Sequence, residues 1–328
     1  MTPTEKLCAG LRLPVISSPM FLISNPEMVI AQCVNGIVGS FPALNARPQE
    51  ELGVWLLRIQ AALDADRAAG GTPAPYAVNL VIRAGTERFH ADLATCVEHR
   101  VPIVITSLGD PADVVTQVHA YGGLVVHDVT SARHARRALR AGVDGLILVC
   151  AGAGGHAGAL SPFALLGEVR QFHDGLLVLA GAISDGRAIV AAQALGADLV
   201  YMGTRFIATQ ESGAVDAYKQ MLVDATASDI VYTPHFSGIS ANYLRASIVA
   251  AGLDPDNLPV VDAAAVRAGG DRQKRWKHIW GAGQGVGSIQ DVPRMPELLD
   301  RLEHEYREAQ DLCRRRLQSA AQLAGSAA

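Results

Sequence analysis

Between residue 13 and about residue 206 the chain repeats one hydropathy unit: a short apolar run, a polar or glycine-rich turn, then an amphipathic stretch. The apolar runs at 14–18, 37–40, 76–80, 103–107, 124–128, 145–149, 176–180 and 199–202 have strand length and are too short for buried helices. Helical spacing of apolar positions lies between them at 26–35, 49–67, 111–121, 131–141, 161–173 and 186–196. Ser24 and Asn25 ahead of Pro26, and Asp110 ahead of Pro111, predict capped helix starts with proline in the first turn. Gly142 and Gly196 predict two helix ends. Strand then helix, repeated eight times, predicts a (β/α)8 TIM barrel. An open doubly wound sheet is the competing α/β architecture, and it needs fewer strands and a switch in strand order.

After Phe206 the rhythm breaks. Residues 210–275 hold a helix pattern, a polar stretch at 233–242 and a proline-bearing loop at 254–261, and read as a smaller substrate or lid domain inserted over one mouth of the barrel. A long charged amphipathic helix at 292–320 closes the exterior. The barrel therefore takes residues 1–209 and 276–328.

Composition agrees with one large α/β core: 328 residues, 49% apolar but only 5% aromatic, so the apolar material is mostly Ala, Val, Leu and Ile. The net charge of −4 and the absence of a basic block argue against nucleic acid; Arg314, Arg315 and Arg316 sit among Glu and Gln on a helical pattern. Five scattered cysteines without a CxxC pair point to a reducing compartment rather than a disulfide or zinc scaffold. With neither a signal-peptide pattern nor a membrane-length apolar run, the expected location is cytoplasmic.

In such barrels reactive residues lie at strand C-termini. The sixth predicted strand runs into Ala151-Gly152-Ala153-Gly154-Gly155-His156-Ala157-Gly158, where glycines permit close backbone approach to a planar or anionic ligand and one imidazole is set beside it. A mobile loop with an incidental histidine is the plainer reading. Gly152, Gly154 and Ala157 fit a dinucleotide fingerprint, but Asp174 precedes the next strand instead of ending it, and Pro162 delays the helix. The seventh and eighth strands end in Ala180-Gly181-Ala182-Ile183-Ser184-Asp185-Gly186 and Met202-Gly203-Thr204-Arg205, suited to a phosphate held by N–H groups at a helix start, or to ordinary tight turns. Asn79 on the third strand is either a satisfied core amide or a partner for a ring edge, and Gln284 in a glycine-rich return segment can reach the same ligand. Metal and acyl-transfer motifs are not present.

Taken together, Ser18-Pro19-Met20, Val78-Asn79-Leu80, Gly154-Gly155-His156, Asp185-Gly186-Arg187, Ala194-Leu195-Gly196-Ala197-Asp198, Met202-Gly203-Thr204-Arg205-Phe206 and Trp280-Gly281-Ala282-Gly283-Gln284-Gly285 resemble the nitronate monooxygenases, formerly 2-nitropropane dioxygenases, in order over residues 12–290. The resemblance implies an FMN-dependent TIM barrel with an inserted substrate domain. It implies flavin contacts from Ser18, Pro19, Met20, Asn79, Ala180, Gly181, Ala182, Gly203 and Thr204, with Asp128, Gly154, Gly155 and Gln284 beside them, and His156 as the catalytic residue. The implied reaction is one-electron oxidation of an alkyl nitronate, with O2 capturing the radical to give a carbonyl compound and nitrite. NAD(P)H-dependent FMN reductases acting on a quinone or an enoyl thioester share the scaffold, and a flavin-binding protein without turnover is a third reading. Three departures stand out: no acid precedes His156 in Ala151-Gly152-Ala153, Asp128 replaces the usual Lys or Gln, and the glycine pair after the seventh strand is Gly181-Ala182. Tyr232, His235, Tyr243 and Arg245 are candidates for the substrate wall, with plain surface roles the alternative. The sequence leaves oligomeric state open, a homodimer included.

Overall fold

The computed structural model describes residues 1–82, 85–259 and 279–325. The end of the proline-bearing loop, the end of the insertion at 275, and Trp276, Lys277 and His278 of the return segment lie outside the described residues. Eleven described strands are β1 (Val15–Ser17), β2 (Gly39–Pro42), β3 (Tyr76–Val81), β4 (Ile103–Ser107), β5 (Leu124–Val129), β6 (Gly145–Val149), β7 (Gly155–His156), β8 (Leu176–Ala180), β9 (Leu199–Met202), β10 (Ile230–Thr233) and β11 (Ala241–Leu244).

Eight of these run parallel in the order β1-β9-β8-β6-β5-β4-β3-β2. The parallel bridge between Ile16 and Val38 joins the two ends of the sheet, with Ser17 N donating to Val38 O at 2.8 Å. The chain is a TIM barrel. Strand pleating sends alternate residues inward, and Ile16, Val38, Ala77, Ile105, Val126, Ile147, Val178 and Leu199 fill the lumen as packed layers. Their neighbours along each strand, such as Val78, Val104, Leu148 and Leu179, face outward and form the larger core beneath the surrounding helices.

Two helices escape the hydropathy pattern. Pro3–Ala9 opens with a capping box between Thr2 and Glu5, and its Leu7 plugs the N-terminal end of the lumen. Glu87–Glu98 buries only Leu93, Cys96 and Asp92, the last neutralised by Arg88 at 2.8 Å, so its polar majority hides its period. The helix expected from Pro111 begins at Ala112 instead: Pro111 is the cap, and Asp110 still accepts from Ala112 N. Asn25 caps Pro26–Val34 as expected, accepting from Met28 N, and Gly196 ends Gly186–Leu195 in the left-handed region.

The polar stretch after residue 233 is not all loop. Its end forms β11, the centre of a second sheet in the order β10-β11-β7, wholly antiparallel. This sheet stitches the loop after β6 to the region predicted as an insertion. The long final helix, Met295–Gly325, buries Met295, Leu298, Leu299 and Leu302 against the barrel's outer core. Among the described residues no helix is long and apolar enough to cross a membrane.

Candidate active site

One layer at the C-terminal mouth of the lumen is polar. Asn79, buried on β3, donates from Nδ2 to Ile105 O at 3.2 Å and to Ser107 Oγ at 2.8 Å. Ser107, at the end of β4, donates in turn to Asp128 Oδ2 at 2.5 Å. The other Asp128 oxygen and the hydroxyl of Tyr201 on β9 are shut from solvent without a hydrogen-bond partner. Burial raises the Asp128 carboxyl to about 6, the Ser107 hydrogen bond opposing only part of the shift. Burial, followed by the negative charge of Asp128, raises the Tyr201 phenol well above its ordinary value.

His156 stands on the rim rather than in this layer. Pairing of β7 with β11 sets His156 opposite Ala241 and Gly155 opposite Asn242. Its imidazole is exposed, with Nε2 2.9 Å from Ser237 Oγ. Ser237 also faces the carbonyl of Ile239 at 2.8 Å, which can only accept. Ser237 also lies against the Tyr243 hydroxyl, so the imidazole joins a polar cluster on the second sheet. Asn242, 2% exposed, donates to Ala153 O at 2.7 Å and holds the glycine loop down.

The glycines of that loop approach other backbone. A Cβ on Gly154 would lie 2.9 Å from Gly283 N and 3.0 Å from Thr204 Oγ1, and one on Gly283 would lie 2.6 Å from Gly152 O. The Gly152 carbonyl accepts from both Gln284 N and Ala182 N, at 2.9 and 3.2 Å. Thr204 Oγ1 accepts from Gly283 N at 2.8 Å. The loops after β6, β8 and β9 and the return segment thus share one junction. Close packing at this junction gives the glycines there a structural reason of their own.

The helix after β8, Gly186–Leu195, has its first N–H groups taken by carboxylates: Glu305 accepts from Gly186 N at 2.9 Å and Asp185 from Ala188 N at 2.8 Å. After β9, Gly203 packs beside Ser18 and Met20, where a Cβ would meet them at 3.3 and 3.5 Å. A groove of about 250 Å³ runs past Ala182, Ser184 and Asp185 to Gln284 and Gly285, large enough for a small polar group but not a whole dinucleotide.

Over residues 51–305 the chain matches the family model described as nitronate monooxygenase. The chain belongs to the nitronate monooxygenase family. It is 26% identical over 290 residues to a probable nitronate monooxygenase from Staphylococcus haemolyticus, covering 82% of this chain and 77% of that relative. It is 27% identical over 282 residues to an octahydroindene-carboxyl-CoA dehydrogenase from Mycobacterium tuberculosis, covering 85% and 76%. In fold it is similar to the nitroalkane oxidase of Streptomyces ansochromogenes (TM-score 0.77, 24% identity, 94% and 99% coverage) and to FabK of Thermotoga maritima (TM-score 0.76, 24% identity, 96% and 98% coverage). The chain is an oxidoreductase of this family.

Within this nitronate monooxygenase framework, the residues singled out from sequence divide into three places. Asn79 and Asp128 meet in the lumen layer; Ser18, Pro19, Met20, Gly203 and Thr204 gather at the adjoining ends of β1 and β9; Gly154, Gly155, Ala180, Gly181, Ala182 and Gln284 cluster around the loop junction, with His156 above it. The four wall candidates scatter. Tyr243 is a core residue of the second sheet, Arg245 forms an exposed pair with Asp256, His235 bonds Pro259 O, and Tyr232 reaches Ala157 O beside His156. Sequence reading missed Ser107, Tyr201, Ser237 and Asn242. Ser107 and Tyr201 were detectable, since each ends or nearly ends a barrel strand on its inward phase; nothing local marks Ser237 or Asn242.

Proposed function

We propose that the barrel mouth binds FMN and that the chain oxidises alkyl nitronates to a carbonyl compound and nitrite with O2. Family membership supports the reaction class. The observation that carries the reading is the meeting of a polar lumen layer, the small-residue ends of β1 and β9, and an exposed histidine bonded to Ser237 at one mouth.

The fit to a flavin is tested by the lumen layer itself. A planar ring with hydrogen-bonding groups on one edge would satisfy Asp128 Oδ1 and the Tyr201 hydroxyl, both unpartnered among the described residues. Gly203 and Thr204 would face its phosphate, and Ser18, Pro19 and Met20 its ring. When bound, the flavin accepts electrons from substrate and passes them to oxygen. The chain's own contribution centres on His156: protonated, it holds the nitronate anion, and neutral, it removes the α-proton of a nitroalkane. The Asn242 amide and Ser237 hydroxyl keep the imidazole in place.

A second reading has a specific observation behind it. The mycobacterial relative named for a CoA thioester matches this chain as closely as the nitronate monooxygenases do, which favours an NAD(P)H-dependent flavin reductase acting on a quinone or enoyl thioester. One anaerobic experiment separates the two. The yellow protein mixed with NADH keeps its colour under the first reading and bleaches under the second. An alkyl nitronate with air then gives nitrite and oxygen uptake, both lost in His156→Ala. Bleaching by NADH without nitrite release overturns the nitronate assignment.

A further inference from the structure

The lumen is apolar along most of its height and changes character in a single layer at the mouth. There the hydrogens run one way, from Asn79 to Ser107 and from Ser107 to Asp128 Oδ2. The relay stops at Asp128, whose Oδ1 has no partner, while the Tyr201 hydroxyl has none either. The two side chains feel each other electrostatically but do not bond one another. An acceptor and a donor, each costly to bury unpaired, are thus left for something else to satisfy. Ser107 on β4 bonds Asp128, Asn79 on β3 bonds Ser107, Tyr201 on β9 feels the Asp128 charge, and the lumen below is apolar. Among the described residues no cation offsets its burial. His127, the next residue back, faces outward to Thr106.

We propose that Asp128 and Tyr201 together grip the polar edge of the flavin's pyrimidine ring, and that the charge on Asp128 sets how strongly the site prefers oxidised over reduced flavin. This inference rests on the flavin reading above. The pyrimidine edge alternates carbonyl acceptors with an N–H donor, the complement of an acceptor beside a donor. An ionised carboxylate there repels the electron-rich reduced ring, whereas a protonated one removes the repulsion and adds a donor. Asp128 is a positioning and tuning residue, distinct from His156 on the rim.

The test is a dithionite titration of the FMN-loaded full chain against redox dyes, at about pH 5 and about pH 8, on either side of the Asp128 titration. Asp128→Asn is expected to hold reduced flavin at least about tenfold better than wild type at the higher pH, about 30 mV for a two-electron couple. Near the lower pH the two proteins should agree. Tyr201→Phe is expected to weaken FMN binding about tenfold in both oxidation states without altering the pH step. Should Asp128→Asn fail to fold, Ser107→Ala decides instead: loss of its hydrogen bond moves the pH step upward. Wild-type potential and pH profile in these variants overturn the proposal and leave the flavin reading standing. Failure of the wild-type chain to bind any flavin overturns both.

Discussion

At the scale of single residues, two buried groups titrate against each other in their effect on stability. Asp128 is raised to about 6 by burial, so folding disfavours its charge. The folded chain binds the extra proton, and stability falls as pH rises from about 4 to about 6 and stays lower above that. His127, outward on the same strand, is lowered to about 4 by burial and must stay neutral. Its contribution is present above pH 6.5 and is lost as pH falls toward 4, by about 3 kcal/mol. The two slopes oppose, so wild-type apoprotein should show a shallow profile across this range. Asp128→Asn should gain about 1–3 kcal/mol at neutral pH and little near pH 4, unmasking the His127 slope in urea melts. An unchanged profile would rule out burial as the source of the Asp128 shift. Ala182 makes a second residue-scale case. It holds φ +55, a region glycine adopts at little cost. Ala182→Gly should stabilise the fold by about 0.5–1 kcal/mol, the relief exceeding the added chain entropy, as read from thermal melts.

At the scale of elements, the barrel strands were legible because burial on both faces writes them as unbroken apolar runs; β4, β6, β8 and β9 have the bounds the pattern predicts. β2 lies two residues later than expected, since Ile37 and Val38 are as buried as Phe41 and hydropathy alone cannot fix the register. β7 was illegible. Two residues, one of them glycine, carry no period, and the strand exists only because β11 lies beside it. The same cause hid Ser237 and Asn242, whose roles depend on pairing across 81 and 89 residues of sequence. Asn242→Ala should free the Ala153 carbonyl, cost about 1–2 kcal/mol and loosen the His156 loop. Under the proposed chemistry its kcat should fall more than its KM rises, with flavin affinity retained. Ser237→Ala should shift the pH profile of turnover, because Nε2 loses its hydrogen-bond partner. A flat response in both variants would remove His156 from the chemistry.

At the scale of the whole molecule, the barrel is fastened at both ends by helices outside the repeating units. The first helix plugs the lumen with Leu7. The last packs Met295, Leu298, Leu299 and Leu302 on the outer core, while Arg12 pairs with both Asp300 and Glu303. Leu299→Ala should cost about 2–5 kcal/mol in denaturant melts, the range for a fully buried leucine, and Glu303→Ala much less because its Arg12 partner keeps Asp300. Equal losses would mean that the helix is held by charge rather than packing.

The short ladder between β7 and β11 places the proposed catalytic imidazole and the segment after residue 210 on one hydrogen-bonded strip. Under the proposed function, chemistry and selectivity are therefore not separable modules in this chain. A segment transplanted from a relative to change substrate preference would have to bring matching partners for Gly155 and His156. Evolution faces the same constraint: new specificities would arise by side-chain replacement along β10 and β11 more readily than by wholesale exchange of the segment that carries them.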